Sequence, residues 1–411
     1  MKLSIKNVGK LKEADVEING ITVIAGENNT GKSTVSKTLF SLFSGFYNLN
    51  EKISLTRLGN TRTIFLRFME NINKESVEIL NNVSNELVNN SDYKNNKTKI
   101  FELIRRNKNF ISEKDLKDIT KKIIDILNIK DAEYLKNMVS YVLNNEFNNQ
   151  INTIGSNDFG EIILKIKEEE IKIKIKSNEI TIENKINLRA KVIYIDDPFV
   201  IDNLNDYKLH NVRYLENHKE NLETKLVREN TEINISEKII IEDKLKKITE
   251  KLEEVINGKI KFNQGKWIYE LENNNELNLK NLSAGLKSFA ILKRLVENGN
   301  LEEKGIVILD EPEIHLHPEW QLKFAELIVL LQKEFGMHIL LTTHSPYFLN
   351  AIEVFSERHK IDDKCKYYVA ENEGNSSIIK DVTGNTREIY RKLARPIQDL
   401  ENIRYSSDLD E

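Results

Sequence analysis

The 411 residues carry 61 basic and 65 acidic side chains, a formal net charge of −4, which argues against a protein coated in positive field and leaves nucleic acid only a local groove to bind. The single cysteine, Cys365, excludes a disulfide framework. No apolar stretch approaches the roughly 20 residues that cross a bilayer, and the chain opens on a charged strand and not on a signal sequence, so a soluble, cytoplasmic protein without a membrane partner is expected. Lys, Asn and Ile are unusually common, and runs such as Lys94 to Lys99 read as coding bias toward AT-rich codons.

In chain order, Leu3-Ser-Ile-Lys-Asn-Val-Gly9 predicts a strand entering a short hairpin, and Ile21-Thr-Val-Ile-Ala25 a buried strand. That strand runs into Gly26-Glu27-Asn28-Asn29-Thr30-Gly31-Lys32-Ser33, a complete G-x-x-x-x-G-K-S phosphate loop continuing through Thr34. Successive backbone N–H groups of such a loop and the N-terminus of the helix after it converge on one anion. Gly26 and Gly31 permit the backbone course, Lys32 reaches the β and γ phosphates, and Ser33 offers its hydroxyl to Mg2+. Val35, Leu39, Leu42 and Phe43 form the face that docks this helix on a sheet.

Residues 51–153 have a helical pattern, with Ile72, Val77, Ile79, Val83 and Leu87 among the apolar positions, and read as an α-helical insertion. Residues 154–200 return to strands: Glu169 to Lys176 and Glu179 to Ile182 alternate, with Ser177-Asn178 as the turn between them. They close on Ala190 to Ile195 and the pair Asp196-Asp197 before Pro198. Residues 201–258 read as a second helical insertion, in which Ile241, Leu245, Ile248, Leu252 and Val255 make a short heptad seam stopped by Gly258. Two heptads predict a helical hairpin packed on itself or on a partner.

From 259 onward the chain returns to sheet and helix. Lys259 to Phe262 and Trp267 to Tyr269 form a hairpin, with Gln264 in its turn. Asn281-Leu-Ser283-Ala-Gly285-Leu-Lys287 opens a helix, where Ser283 is either an ordinary N-cap or part of an anion site. Gly305-Ile-Val-Ile-Leu-Asp310-Glu311 is an apolar run ending in two acids, the form of a strand buried on both faces. Ligands bind at that carboxyl edge of an open α/β sheet, so Asp310 is assigned to the metal, through its water shell, and Glu311 to the attacking water. Pro318 opens a helix with Trp320, Phe324, Leu327, Ile328 and Leu331 as core, and Gly336 closes it. A second buried strand, Leu340 to Thr343, leads to His344, and after it come the hairpin Tyr367–Ala370 with Ser377–Ile379 and a helix near Arg387 to Leu393.

The order of phosphate loop, Ser-x-Gly signature, acid pair and histidine resembles the ATP-binding-cassette type of ATPase. Asp310-Glu-Pro-Glu313-Ile-His315-Leu-His317-Pro318 resembles the DEPE-x-HLHP box of its OLD/RecF/SMC-like branch, which includes bacterial anti-phage ATPases such as those of Septu, PARIS and OLD systems. The likeness covers about residues 1–50 and 259–380. It implies an α/β fold: an ABC-type P-loop ATPase head, a mixed sheet flanked by helices, with one lobe from 1–50 and 154–200, a second from 259–411, and the helical insertions between. It further implies ATP and Mg2+ as ligands and a homodimer or higher homo-oligomer in which two heads close around two nucleotides. In that dimer Ser283 and Gly285 meet the γ-phosphate of the opposite subunit, His344 hydrogen-bonds the γ-phosphate, and His315 and His317 line the interface.

Two departures stand out. The family's glutamine loop falls at Asp196-Asp197, which either replaces the glutamine or simply ends a strand. Only 67 residues follow His344, too few for the metal-rich nuclease domain of OLD nucleases. The expected function is an Mg2+-dependent switch ATPase controlling a separate effector, such as a nuclease, in anti-phage defence. The alternative is a DNA-repair or chromosome-maintenance head that itself clamps DNA; a transporter cassette would need a membrane partner and a glutamine loop.

Overall fold

A computed structural model describes residues 1–68, 74–94, 96–107, 112, 115–153, 158–204, 217–229 and 235–407, with the side chains of 235–243, 397 and 405–407 left out. The chain divides into two compact units: residues 1–44, 140–186 and 190–411 form the larger, and residues 45–139 and 187–189 the smaller.

Among the described residues the larger unit is built on fourteen strands: β1 Lys2–Val8, β2 Leu11–Glu17, β3 Ile21–Gly26, β4 Gly160–Ile166, β5 Glu169–Lys176, β6 Glu179–Asn184, β7 Val192–Ile195, β8 Gly258–Asn263, β9 Lys266–Leu271, β10 Glu276–Asn278, β11 Ile306–Asp310, β12 His338–Thr343, β13 Cys365–Glu373 and β14 Ser376–Asp381. Eleven share one sheet in the order β6-β5-β4-β1-β2-β14-β13-β3-β12-β11-β7, while β10-β9-β8 form a small separate sheet. The stretch β13-β3-β12-β11-β7 is parallel throughout. At the other end β6, β5, β4, β1 and β2 pair antiparallel. Between them β14 joins the halves, antiparallel to β13 and parallel to β2. The result is the mixed α/β sheet, flanked by helices, that the sequence leads one to expect.

Burial explains why the two halves look different in sequence. Every residue of β3, β7 and β11 is buried, as expected of strands covered on both faces. In β5 only Ile171, Ile173 and Ile175 are buried, and the intervening Lys172 and Lys174 pair with Glu161 at 3.1 Å and Glu183 at 2.6 Å. Ser177 and Asn178 take left-handed φ values of 51° and 65°, the tight-turn geometry whose twist matches the flanking strands. Gln264 and Gly265 repeat it between β8 and β9, at 47° and 78°.

The main core gathers the parallel strands with the helices Ala284–Glu297, Pro318–Phe335 and Pro346–Arg358. Trp320 packs edge-on to Phe289 at 5.7 Å, a structural position. The heptad seam belongs to this same core: Ile248 and Leu252 are each 1% exposed, with Leu245 and Val255 packed beside them, whereas the sequence suggests a hairpin packed on itself or on a partner. A seam this short finds its complement in the apolar face of Pro318–Phe335, and Lys247–Glu334 at 3.1 Å and Lys251–Glu326 at 3.4 Å flank the contact. Ile241 lies in the helix Ile235–Glu253, and residues 205–216 and 230–234 lie outside the described residues.

The smaller unit is helical. Phe65, Leu80, Val83, Leu87, Ile100, Leu103, Ile119 and Ile123, from the helices Leu49–Phe68, Lys74–Asn89, Lys97–Arg106 and Leu116–Asn128, form its core. Val77 is 37% exposed, on the outer face, while Ile79 packs against the core; Ile72 lies outside the described residues. Asn96 accepts from the Lys99 N–H at 3.1 Å and caps its helix.

Candidate functional site

The phosphate loop owes its course to close packing. A Cβ on Gly26 would lie 2.6 Å from the Ala370 carbonyl oxygen, and one on Gly31 would lie 2.7 Å from Leu11 with φ at +81°. Neither position accepts a side chain. Asn29 adopts φ 58° and the Thr30 hydroxyl donates to the Glu27 carbonyl at 2.8 Å, leaving Glu27, Asn28 and Asn29 exposed at the loop tip. The helix Lys32–Phe46 starts at the end of the loop, and the N–H groups of a helix's first turn have no acceptor of their own. Ser33 is half-buried there and Thr34 is buried, its N–H on the Gly31 carbonyl at 3.1 Å.

Lys32 is only 3% exposed. Its Nζ donates to the carbonyls of Gly26 at 3.1 Å and Glu27 at 2.9 Å, meets His344 Nε2 at 2.9 Å, and lies 3.4 Å from Glu311 Oε1. Burial lowers its pKa below the usual lysine value, and the negative charge of Glu311 offsets only part of that.

Parallel register brings these groups together. Asp310 of β11 stands opposite Thr342 of β12, and Thr343 opposite Ala25 of β3, so all three strands end at one edge. Just past β11, Glu311 takes a left-handed φ of 53°, a strained backbone for a non-glycine residue. Its N–H is fastened to the Thr342 carbonyl at 3.1 Å and hydroxyl at 3.0 Å, and its Oε1 lies 2.5 Å from His344 Nε2. Burial alone would raise the Glu311 carboxyl; the hydrogen bond and charge of His344 and the charge of Lys32 outweigh it and leave the group below its ordinary value.

Asp310 has both oxygens engaged, Oδ2 by the Tyr194 hydroxyl at 2.8 Å and Oδ1 by the Thr342 hydroxyl. A carboxylate has further lone pairs, so capacity for a water ligand remains. Mg2+ keeps several waters and leans on phosphate oxygens; the Ser33 hydroxyl and a water-linked Asp310 fit that ion. Among the described residues no group of three or more His, Cys, Asp or Glu could hold a metal by itself.

Glu313 extends the site beyond its expected members. Its Oε1 accepts from the Thr343 hydroxyl at 2.5 Å, the His344 N–H at 2.8 Å and the Ser345 N–H at 3.3 Å, tying the segment that carries His344 to the acid box. Burial raises its pKa against the opposing hydrogen bonds of the Thr343 hydroxyl and the backbone N–H groups of His344 and Glu313 itself.

Ser283 and Gly285 have other neighbours. The Ser283 hydroxyl accepts from the Leu286 N–H at 3.3 Å as N-cap of Ala284–Glu297. A Cβ on Gly285 would sit 3.0 Å from the His315 carbonyl oxygen and 3.2 Å from Trp320. Lys287, 1% exposed, is gripped by both oxygens of Asp202 at 2.6 and 2.7 Å and lies over the Phe199 ring. His315 and His317 are exposed, as is Ile314. Asp197 caps the short 3-10 helix Pro198–Asn203, accepting from the Phe199 N–H at 2.9 Å. Asp196 instead meets His218 Nε2 at 3.0 Å. Tyr194, Thr342, His218 and Glu313 are the site residues that sequence reasoning gave no role; of these only Glu313 lies inside a recognisable motif.

Residues 21–350 match the family model described as "AAA domain, putative AbiEii toxin, Type IV TA system". Among curated relatives, "Retron Vc95 probable ATPase" of Vibrio cholerae serotype O1 biovar El Tor is 35% identical over 108 residues, covering 24% of this chain and 20% of that protein. "Septu protein PtuA" of Bacillus thuringiensis is 33% identical over 94 residues, 20% of this chain and 23% of its own. The matched region thus spans about a fifth of each relative's length. Among solved structures, the SMC head domain from Thermotoga maritima superimposes over 93% of this chain and 98% of its own, with TM-score 0.38 and 11% identity. The ADP form of an ABC-transporter ATP-binding cassette gives 0.35 at 12% identity, over 95% of this chain and 98% of its own. Among the described residues no helix is long and apolar enough to cross a membrane.

Proposed function

The chain belongs to that AAA-domain family, and from this premise we propose that it is an Mg2+-dependent ATPase that dimerises around ATP and uses the closure as a switch for a separate effector, in the manner suggested by its likeness to retron and Septu proteins. One observation carries the reading: Lys32 of the phosphate loop lies 2.9 Å from His344 and 3.4 Å from Glu311, two groups supplied by neighbouring strands about 280 to 310 positions later.

In this reading the loop N–H groups, from Gly26 to Thr34, and Lys32 bind the β and γ phosphates. Ser33 and Asp310 would hold Mg2+, which when bound would neutralise phosphate charge. Glu311 orients the attacking water and accepts its proton, a role for which a partly buried carboxylate kept ionised by His344 and Lys32 is suited. His344, already fixed between Glu311 and Lys32, hydrogen-bonds the γ-phosphate. Within one chain Ser283 and Gly285 serve a helix cap and a close contact, so their role at nucleotide is assigned to a second copy, with His315, His317 and Ile314 on the facing surface.

Glu311→Gln tests the chemistry. It is expected to bind ATP, to lose turnover by about a hundredfold or more, and to elute as an ATP-dependent dimer in size-exclusion chromatography; turnover near the parent rate would put the base elsewhere. Ser283→Arg is expected to stop turnover while ATP affinity of the monomer stays unchanged, and a drop in monomer affinity would defeat the two-chain arrangement. Salt-sensitive DNA binding by the protein alone would transfer the reading to a DNA clamp.

A further inference from the structure

Behind the metal acid lies a buried polar cluster that no motif announces. The Tyr194 hydroxyl donates to Asp310 Oδ2 at 2.8 Å, and the Tyr194 ring stacks on the His218 imidazole with centroids 4.4 Å apart and planes 29° from parallel. His218 Nδ1 meets Glu146 Oε2 at 2.7 Å, its Nε2 meets Asp196 Oδ2 at 3.0 Å, and its backbone N–H donates to Glu146 Oε1 at 2.8 Å. Tyr194 is 1% exposed, Glu146 3%, and His218 and Asp310 9% each. Phe40, on the helix that follows the phosphate loop, packs against both rings, 6.1 Å from Tyr194 and 6.0 Å from His218.

We infer that Tyr194, braced by the His218 ring between Glu146 and Asp196, is the positioning residue that aims the Asp310 carboxylate at the metal, and that this cluster does the work the missing glutamine does not. The inference rests on the proposed role of Asp310. A buried ion cluster is a weak source of stability, since apolar side chains of the same volume serve as well or better. What it supplies is direction. Two carboxylates grip the imidazole from opposite ends, so the ring cannot rotate, and the phenol stacked on it is held with its hydroxyl toward Asp310. Burial works against a charged imidazole, but the bonds to Asp196 and Glu146 outweigh it and push the His218 pKa up to about 9. The Tyr194 hydroxyl has the Asp310 carboxylate as its acceptor, so Tyr194 acts there as a donor. Asp196, at the end of β7, is thereby committed to the ring and reaches the metal acid only through the tyrosine.

The test measures Mn2+ binding in the presence of a non-hydrolysable ATP analogue by electron spin resonance of free Mn2+, alongside analogue affinity without metal and a melting curve for each variant. Asp310→Ala comes first: undiminished Mn2+ binding there removes the proposed metal acid, a failure of the underlying reading and not of this cluster. With that control passed, Tyr194→Phe, which deletes one oxygen and keeps the stack, is expected to weaken Mn2+ binding about fivefold or more and to leave metal-free analogue affinity unchanged. His218→Gln is expected to weaken it in the same direction, with the double variant no worse than the weaker-binding single, because both act through one carboxylate. If His218→Gln does not fold, His218→Asn, whose amide can still meet Glu146, is read in its place. Mn2+ affinity within twofold of the parent in Tyr194→Phe, or multiplicative losses in the double variant, overturns the inference.

Discussion

The two halves of the large sheet share one set of hydrogen bonds and differ in where they tolerate charge. In the parallel half, β13-β3-β12-β11-β7, both faces are covered and charged groups are confined to the strand ends, so Lys32, Asp310, Glu311 and His344 collect along one edge. In the antiparallel half, β6-β5-β4-β1-β2, one face meets water and charges sit along the strands in exposed cross-strand pairs such as Lys6–Glu13 and Lys174–Glu183. Confinement makes chemistry: at the buried edge desolvation works against the charged forms of Lys32 and Glu311 while their partners' charge works for them, whereas on the wet face pairing prevails, as where the Lys174 hydrogen bond lowers the Glu183 carboxyl.

Four substitutions would break or sharpen that contrast. The largest effect is expected at the edge: Lys32→Ala removes the charge facing the phosphates and should abolish ATP binding by calorimetry, and retained affinity would show that the edge is not the nucleotide site. Next comes Glu313→Ala, which releases the three donors of the His344 segment. Its turnover should fall about a hundredfold, the scale of a misplaced catalytic group, while ATP affinity holds and Glu313→Gln, which keeps an acceptor oxygen, recovers most of the rate. Equal rates for the two variants would leave Glu313 a packing residue. On the other half, Ile173→Ala opens a void beneath a fully buried position. It should cost about 2–4 kcal/mol in chemical denaturation yet leave turnover per folded molecule unchanged. The smallest effect belongs to Lys172→Ala on the wet face of the same strand; a clear shift in either melting midpoint or rate would show that the faces are not as separate as their burial suggests.

How far the sequence could be read follows the same division. The loop Gly26–Ser33, the acids of β11 and His344 are legible because each is a local consequence of backbone geometry: a turn only glycine can make, or a buried strand that can bear charge only at its end. The antiparallel strands are legible through alternation, down to the Ser177–Asn178 turn. Tyr194 and His218 are not, since each stands alone in sequence and acquires meaning only when folding brings residues 72 and 116 positions apart into contact. The seam at Leu245 to Val255 is intermediate. Its period is visible, but a period names a sticky face and not what that face will cover; here it covers the main core. Glu313 sits inside a motif whose other acids have obvious tasks, and its hold on three donors from the next strand is a tertiary fact.

The place of β3 has a consequence for how the protein is made. This strand is complete by residue 26, yet its hydrogen-bonding neighbours are β12 and β13, which span residues 338 to 373. On a ribosome the cradle for nucleotide therefore waits until residue 373 has emerged, its apolar strand unpaired meanwhile, a long-range closure of the kind that slows folding and exposes chains to aggregation. Newly made chains should gain ATP protection against proteolysis late and in a single step, after β13 clears the exit tunnel.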